Sequence, residues 1–307
     1  MQHAPVLLNE VIEVIMPRDG GRYFDGTLGD GGHARAILEA SAPGGELAGC
    51  DLDPAAINRL ESAFLPYGDR AHLFQRNFSE IDTICLMLGW KCLDGIFLDL
   101  GLSSPALDDA QRGFSFSKNG PLDMRFSPEN PVTAHQIVNT YDAARLAGII
   151  RTYGEERFAR RIAERIVESR PITSTVQLSD LVCAAIPRRS WPERIHPATR
   201  TFQAIRIEVN AELGNLEVFL PRAASLLAKG GTLAIISFHS LEDRIVKQFF
   251  SSTRVTGASL RGLPPVEVPG APKIKRLFSK PLSPSADELQ RNPRSRSAHL
   301  RAARRVS

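Results

Sequence analysis

The sequence predicts an α/β fold, an open and mostly parallel Rossmann-like sheet with a helical insertion between its fourth and fifth strands. Three observations predict it. Short apolar stretches alternate with helical ones through residues 22–100. A glycine-rich turn joins the first of these strands to a helix, and from 132 to about 210 the periodicity is helical throughout. Strands that alternate with helices bury both sheet faces and read as parallel.

Pro5–Ile12 has helical periodicity and caps the sheet. Arg22–Asp25 is the first strand, followed by glycines at 26, 29, 31 and 32 and a helix from about His33 to Ser41. Glycine permits positive φ, and without a Cβ it lets a ligand approach the main chain. The helix start points the positive end of its dipole at that ligand. The spacing does not fit the G-x-G-x-x-G dinucleotide pattern. An acid at the strand end followed by crowded glycines fits an S-adenosylmethionine (SAM) site better.

Glu46–Cys50 is a second strand, and Asp51 stands at its end, about 20 residues after the glycine turn, where a carboxylate can accept from both ribose hydroxyls. Asp53 precedes Pro54 and reads as the cap of a helix over 55–64. His72–Arg76 is a third strand. Phe78, just past it, either covers an adenine or belongs to the core. Asp94–Leu100 is an apolar fourth strand containing Asp99. In open α/β sheets ligands lie beyond the carboxyl ends of the strands, so Asp25, Asp51, Phe78 and Asp99 should converge there.

Residues 106–131 read as a long irregular loop with exposed aromatics, Phe114 and Phe116. Helices are expected at 142–153, 155–169, 176–186 and 199–220. Thr232–Ser237 is a fifth strand. Residues 251–272 read as a mobile loop, and 273–280 with 297–305 as a closing strand pair. The main domain is expected over 1–131 and 211–307, with the inserted domain over 132–210.

The composition, 43% hydrophobic and 23% charged, is that of a globular protein. No apolar run reaches the roughly 20 residues that a membrane span needs, and no signal peptide is visible, so a cytoplasmic protein is expected. Cys50, Cys85, Cys92 and Cys183 form no C-x-x-C pair, which argues against a disulfide framework or a zinc knuckle, and most of the four read as buried. No His, Cys or acid cluster has metal-ligand spacing, and none is expected to bind a metal. Charge is segregated: residues 253–307 hold 12 Arg/Lys against three acids, and residues 151–206 hold 11 Arg against six. That pattern suits a polyanion such as RNA, or else solvated faces and a basic tail.

Seven stretches occur in order: Asp25–His33, Asp99–Pro105, Arg112–Phe116, Gly120–Arg125, Tyr153–Arg157, His196–Ala204 and Ser237–Arg244. On these the chain closely resembles the bacterial 16S ribosomal RNA cytosine N4-methyltransferases (small-subunit methyltransferase H), over nearly its whole length. The resemblance implies a SAM-dependent methyltransferase fold with an inserted helical substrate-recognition domain. It also implies methylation of a cytidine in the decoding region of 16S rRNA, in the small ribosomal subunit, and it leaves a homodimer open. Gly31, Gly32, His33, Asp51, Phe78 and Asp99 become the cofactor residues, the backbone amides at 31–33 holding the amino-acid part of SAM. The family commonly has Gln after Ser-Ser-Pro, and here Ala106 stands there, so a contact made by that Gln is absent or replaced.

The implied chemistry is direct transfer to an exocyclic amine, helped chiefly by positioning. Ser104 and Pro105, in the Ser103-Ser104-Pro105 stretch, are the candidate catalytic residues. They would accept hydrogen bonds from the amine, or else they only shape a turn. Phe114 and Phe116 could stack on an unstacked base or pack in the core, and His196 and His239 could be ligands or bases, although such histidines are more often structural. A methyltransferase acting on protein or small molecules is disfavoured by the basic insertion. A non-catalytic RNA-binding factor is disfavoured by the intact glycine turn and Asp51.

Overall fold

In the computed structural model of the protein, residues 5–251 and 272–306 are described. The stretch 251–272, expected to be a mobile loop, therefore lies almost wholly outside the described residues. The chain divides into two compact units, Met1–Gly101 with Leu213–Ser307, and Leu102–Glu212.

The chain begins with α1 (Leu8–Ile15), β1 (Arg22–Asp25), α2 (Gly32–Ala40), β2 (Glu46–Asp51), α3 (Pro54–Phe64), β3 (Ala71–Gln75), α4 (Ile81–Met87) and β4 (Leu93–Asp99). It continues through α5 (Ser104–Asp108), α6 (Ala134–Thr140), α7 (Ala143–Gly154), α8 (Ala159–Glu168), α9 (Thr175–Ala185) and α10 (Thr199–Asn210). Then come α11 (Glu212–Leu226), β5 (Leu227–Ser237), α12 (Ser240–Ser251), β6 (Ile274–Arg276), α13 (Ala286–Arg291) and β7 (His299–Arg305).

The first unit carries a seven-stranded sheet in the order β3-β2-β1-β4-β5-β7-β6. Strands β1 to β5 pair in parallel, and β7 runs antiparallel between β5 and β6. The strand order reverses at β1. The chain works outward through β2 and β3, then returns to lay β4 on the other flank of β1. A crevice opens at such a reversal, at the carboxyl ends of the strands.

Period-two alternation explains how both faces are buried. Phe24, Ile96, Leu98, Leu233 and Ile235 point to one face, against Ile81 and Ile84 of α4, Leu216 and Phe219 of α11 and Val246 of α12. Tyr23, Phe97, Ala234 and Ile236 point to the other, against Val11 and Ile15 of α1, Ile37 and Leu38 of α2 and Leu60 of α3. Asp53 caps α3 as expected, its carboxylate accepting from the Ala55 N–H at 3.0 Å. Cys50 and Cys85 are buried, whereas Cys92 is exposed and Cys183 half-buried, so only two of the four are the core residues that the sequence suggested. No described helix is long and apolar enough to cross a membrane.

The second unit is helical around its own apolar core. Its first residue is 102, not the expected 132. Residues 106–131 are irregular but not loose. Ala106, Phe114, Leu122 and Met124 are buried in that core. Gly120 and Thr175 exchange hydrogen bonds at 3.1 and 3.0 Å. Asn210 accepts from the Phe126 N–H and donates to the Met124 carbonyl, both at 2.8 Å. One expected helix starts late and another is broken, each at one left-handed residue. Glu155, at φ 48°, ends α7 so that α8 starts only at Ala159, and Ala211, at φ 49°, separates α10 from α11.

Phe219 tests the sheet core. Its side chain is fully buried, with its ring 6.5 Å from Phe24 and 5.3 Å from Phe78. Phe219→Ala should cost about 3–5 kcal/mol in chemical denaturation of this unit. A loss below about 1 kcal/mol would mean that the two ring contacts carry little of the packing.

Candidate functional site

Everything at the sheet edge is organised by the turn after β1. On the β4 side, the Gly26 N–H donates to the Phe97 carbonyl at 3.0 Å, and the Asp99 N–H donates to Thr27 Oγ1 at 2.6 Å. On the β2 side, the Leu28 N–H donates to the Cys50 carbonyl at 3.1 Å, and the Gly29 N–H to Asp51 Oδ2 at 2.9 Å. The turn is thus stitched to both neighbouring strand ends. Gly31, at φ 74°, caps α2, and no side chain bonds to that cap. The first-turn N–H groups of a helix have no partner within the helix, so those at Gly32 and His33 suit an anion such as a carboxylate.

Gly29, at φ 51° with open space beside it, and Gly31 take the expected positive φ, but three of the glycines also sit where a side chain would meet protein. A Cβ on Gly26 would lie 2.3 Å from Leu98 Cδ2, one on Gly31 2.6 Å from Leu60 Cδ2, and one on Gly32 2.3 Å from Pro5 Cγ. At these three positions the missing side chains make room for protein atoms, which lock the turn, rather than for a ligand. The His33 side chain also turns inward. Its Nε2 lies 2.9 Å from the Val6 carbonyl oxygen and its ring 4.5 Å from that of Phe97, which leaves the backbone of His33 for binding.

Three strand-end carboxylates meet around this turn. Asp25 is 1% exposed, and burial pushes its carboxyl up to about 7. The Thr27 N–H opposes the shift, while the charges of Asp99 and Asp51 add to it. Asp99 is likewise raised to about 7, first by burial and also by Glu242, against one hydrogen bond from the Gly101 N–H. Asp51 is raised by burial and held down by the Asp53 and Gly29 N–H groups. Acids buried beside acids favour a ligand that brings positive charge. A carboxylate has about four acceptor sites, so Asp51 keeps capacity for hydroxyl donors beyond its two backbone bonds.

Phe78 stands in a short turn after β3, half-buried, with its ring edge-on to Phe219 and its Cβ beside Gly26. It is therefore a core residue placed at the border of the site. Thr27 and Glu242 are contributors that sequence reasoning passed over. The Thr27 hydroxyl sits inside the glycine stretch and reads as filler there. Glu242 is 2% exposed and accepts from the Phe238 N–H at 2.8 Å and the His239 N–H at 3.3 Å, holding the exit of β5.

The remaining candidates belong to the second unit. Ser103 caps α5 through the Ala106 N–H at 3.4 Å, and Pro105, in its first turn, is exposed. Ser104 opens α5, and its side chain is outside the described residues. Phe114 is buried rather than exposed, and half-buried Phe116 stacks on His196 with centroids 4.6 Å apart. Both rings are thus taken up by packing. Arg157, Arg160, Arg161 and Arg165 are exposed on or next to α8, while Ile162 and Ile166 face the core.

Other arginines are structural. Arg206 pairs with Glu212 through two bonds of 2.8 Å, Arg170 donates to the Val138 and Tyr141 carbonyls, and Arg301 grips Asp243 at 2.7 and 2.9 Å. Part of the basic charge at the chain end therefore ties β7 to α12 instead of waiting for a polyanion.

The sequence profile of the MraW methylase family matches residues 1–306. A protein of Geobacter sulfurreducens named Ribosomal RNA small subunit methyltransferase H is 49% identical over 307 residues, covering 99% of each chain. Proteins with the same name from Syntrophotalea carbinolica and Heliobacterium modesticaldum are 49% and 47% identical, each covering 99% of this chain and 98% of their own.

The raised carboxyl of Asp25 has a pH signature. In the unfolded chain it ionises near pH 4, whereas in the fold it keeps its proton to about 7, so its contribution to stability is greatest at low pH and falls across that window. Asp25→Asn removes this dependence. In ligand-free protein, the stability of the variant relative to wild type should rise from about pH 4 to about pH 7 and then level off. A difference that stays flat across the window would show that Asp25 is not held protonated.

Proposed function

The chain belongs to the MraW methylase family, and from that premise we propose that it methylates the N4 amine of a cytidine in the decoding region of 16S ribosomal RNA. The observation that carries the reading is near-half identity over 99% of the chain to proteins named as small-subunit rRNA methyltransferases. The sheet edge agrees with it, because it offers what a SAM molecule needs.

SAM supplies an electrophilic methyl group on a positively charged sulfur. The protein's own residues bind and orient. Asp51 accepts from the ribose hydroxyls, and the N–H groups of Gly32 and His33 at the start of α2 face the carboxylate of the amino-acid part, the Gly31 N–H being taken by the Leu28 carbonyl at 2.7 Å. Asp25 and Asp99 give a negative surround that matches the ammonium and sulfonium charges. Phe78 borders the adenine. The cytosine amine is a weak nucleophile because its lone pair is delocalised into the ring, so holding that lone pair toward the methyl carbon is the main aid. Ser103-Ser104-Pro105, directly after β4 in the chain, is the stretch we assign to that task, with the Ser104 hydroxyl and nearby carbonyls accepting from the amine.

The second unit serves substrate recognition in this reading, with exposed Arg157, Arg160, Arg161 and Arg165 facing phosphates. A small ribosomal subunit that presents the cytidine unpaired is the matching partner, since a base must leave its stack to be modified.

Two measurements test this. Mass mapping of 16S rRNA from cells with and without the protein should show one N4-methylated cytidine lost in its absence, and an unchanged methylcytidine content removes the reading. Ser104→Ala should slow methyl transfer by about tenfold, the worth of one well-placed hydrogen bond, with the SAM dissociation constant nearly kept. Wild-type turnover in that variant would take Ser104 out of the chemistry.

A further inference from the structure

Two of the stretches singled out in the sequence have no part in the cofactor site. They are Tyr153–Arg157 and His196–Ala204, and within the second unit they meet. Glu156 and Arg157 from the first, with Arg200 from the second, line a cavity of about 280 Å³ completed by Ile186, Ser190 and Pro192.

The cavity has a buried acid at one wall. Glu155 takes the left-handed conformation that ends α7, and Glu156, the next residue, is 4% exposed. One Glu156 oxygen accepts from the Phe158 N–H at 2.9 Å. The nearest cation to the other is Arg200 Nη1 at 3.9 Å, too far for a hydrogen bond. That second oxygen carries no hydrogen bond, so a ligand that donates to it gains a charge-assisted bond. Ile186 and Pro192 supply apolar walls. Arg157 and Arg200 are exposed or half-exposed, and Arg188 and Arg189, beside the same wall in the chain, are exposed as well. An acid set among apolar walls and bordered by guanidinium groups suits a group with N–H donors on a flat body and a phosphate attached.

We infer that this cavity is a subsite for a single unstacked guanosine nucleotide of the RNA substrate. Guanine is the base that places two N–H donors side by side on its Watson–Crick edge, a match for one carboxylate, and bases are read along that edge in single-stranded RNA. Arg200 and Arg157 take its phosphate, for which guanidinium is the fitting partner. The inference rests on the proposal that RNA is the substrate, and it adds a second contact point with base preference, separate from the methylated cytidine.

The test uses the full chain and three fluorescently labelled RNA pentamers, UUGUU, UUAUU and UUCUU, with binding read by anisotropy at one low salt concentration. UUGUU should bind about tenfold more tightly than the other two. Glu156→Gln keeps an acceptor for the Phe158 N–H and should reduce that preference to about twofold or less. Arg200→Ala should weaken all three alike. Ser190→Phe, a half-exposed wall position that fills the cavity, should abolish the preference even if Glu156→Gln proves unstable. Glu61→Gln, exposed on α3 in the other unit, should leave the preference unchanged. Equal binding of the three pentamers, or a preference that survives in Ser190→Phe, overturns the inference. Methylation of small-subunit RNA measured in parallel separates the two ideas: if it proceeds while the pentamers bind alike, the subsite falls and the function stands.

Discussion

The sheet edge depends on a short turn held from two sides. Between Gly26 and Gly29 the backbone is hydrogen-bonded to the ends of β4 and β2 at once, through Phe97 and Asp99 on one flank and Cys50 and Asp51 on the other. Because β1 lies between those strands, the turn joins the points where the crevice begins and sets the separation of Asp51 from Asp99. Side chains from α3, β4 and the N-terminal segment fill the space that larger residues would need at Gly26, Gly31 and Gly32. The turn is therefore shaped before any ligand arrives, and binding need not spend energy on ordering it.

That rigidity holds strand-end acids close to one another. Asp25 and Asp99 cost the empty protein stability at neutral pH, since burial raises each carboxyl to about 7 and so disfavours its charged form. A positive charge placed beside them would favour the ionised form. The second unit handles charge in the opposite sense: Arg170 and Arg206 are consumed by carbonyls and an acid, while the arginines of α8 stay in solvent. Charge counts in the sequence merged these two populations. Only hydrogen-bond partners, many of them distant in the chain, separate them.

Much of the sheet was legible because its signals are local. Apolar runs ending in Asp25, Asp51 and Asp99 marked three of the strand ends, and the glycine crowding marked the turn. The cap at Asp53 followed from Pro54. What stayed hidden depended on contacts far apart in sequence. The irregular stretch 106–131 looked like a free loop, since the bonds that tie it down come from Thr175 and Asn210. The break at Ala211, and the late start of α8 that Glu155 imposes, were invisible because neither residue type announces a left-handed conformation. Phe114 and Phe116 looked available for stacking because their partners, Phe126, His196 and Phe202, lie well downstream.

The discontinuity of the first unit bears on how the protein is made. During synthesis β1 to β4 emerge together, and β4 stays the open edge of a half-sheet until the whole second unit has been translated. Its apolar residues, Ile96 to Leu98, wait for β5, and β5 in turn waits for β7 from the last residues of the chain. The second unit has a core of its own to condense during that interval, but the nascent half-sheet has an unpaired strand exposed to neighbouring chains. Slow translation of residues 102–212 would lengthen that exposure, so the yield of folded protein should depend on elongation speed and chaperone supply more than its size alone would suggest.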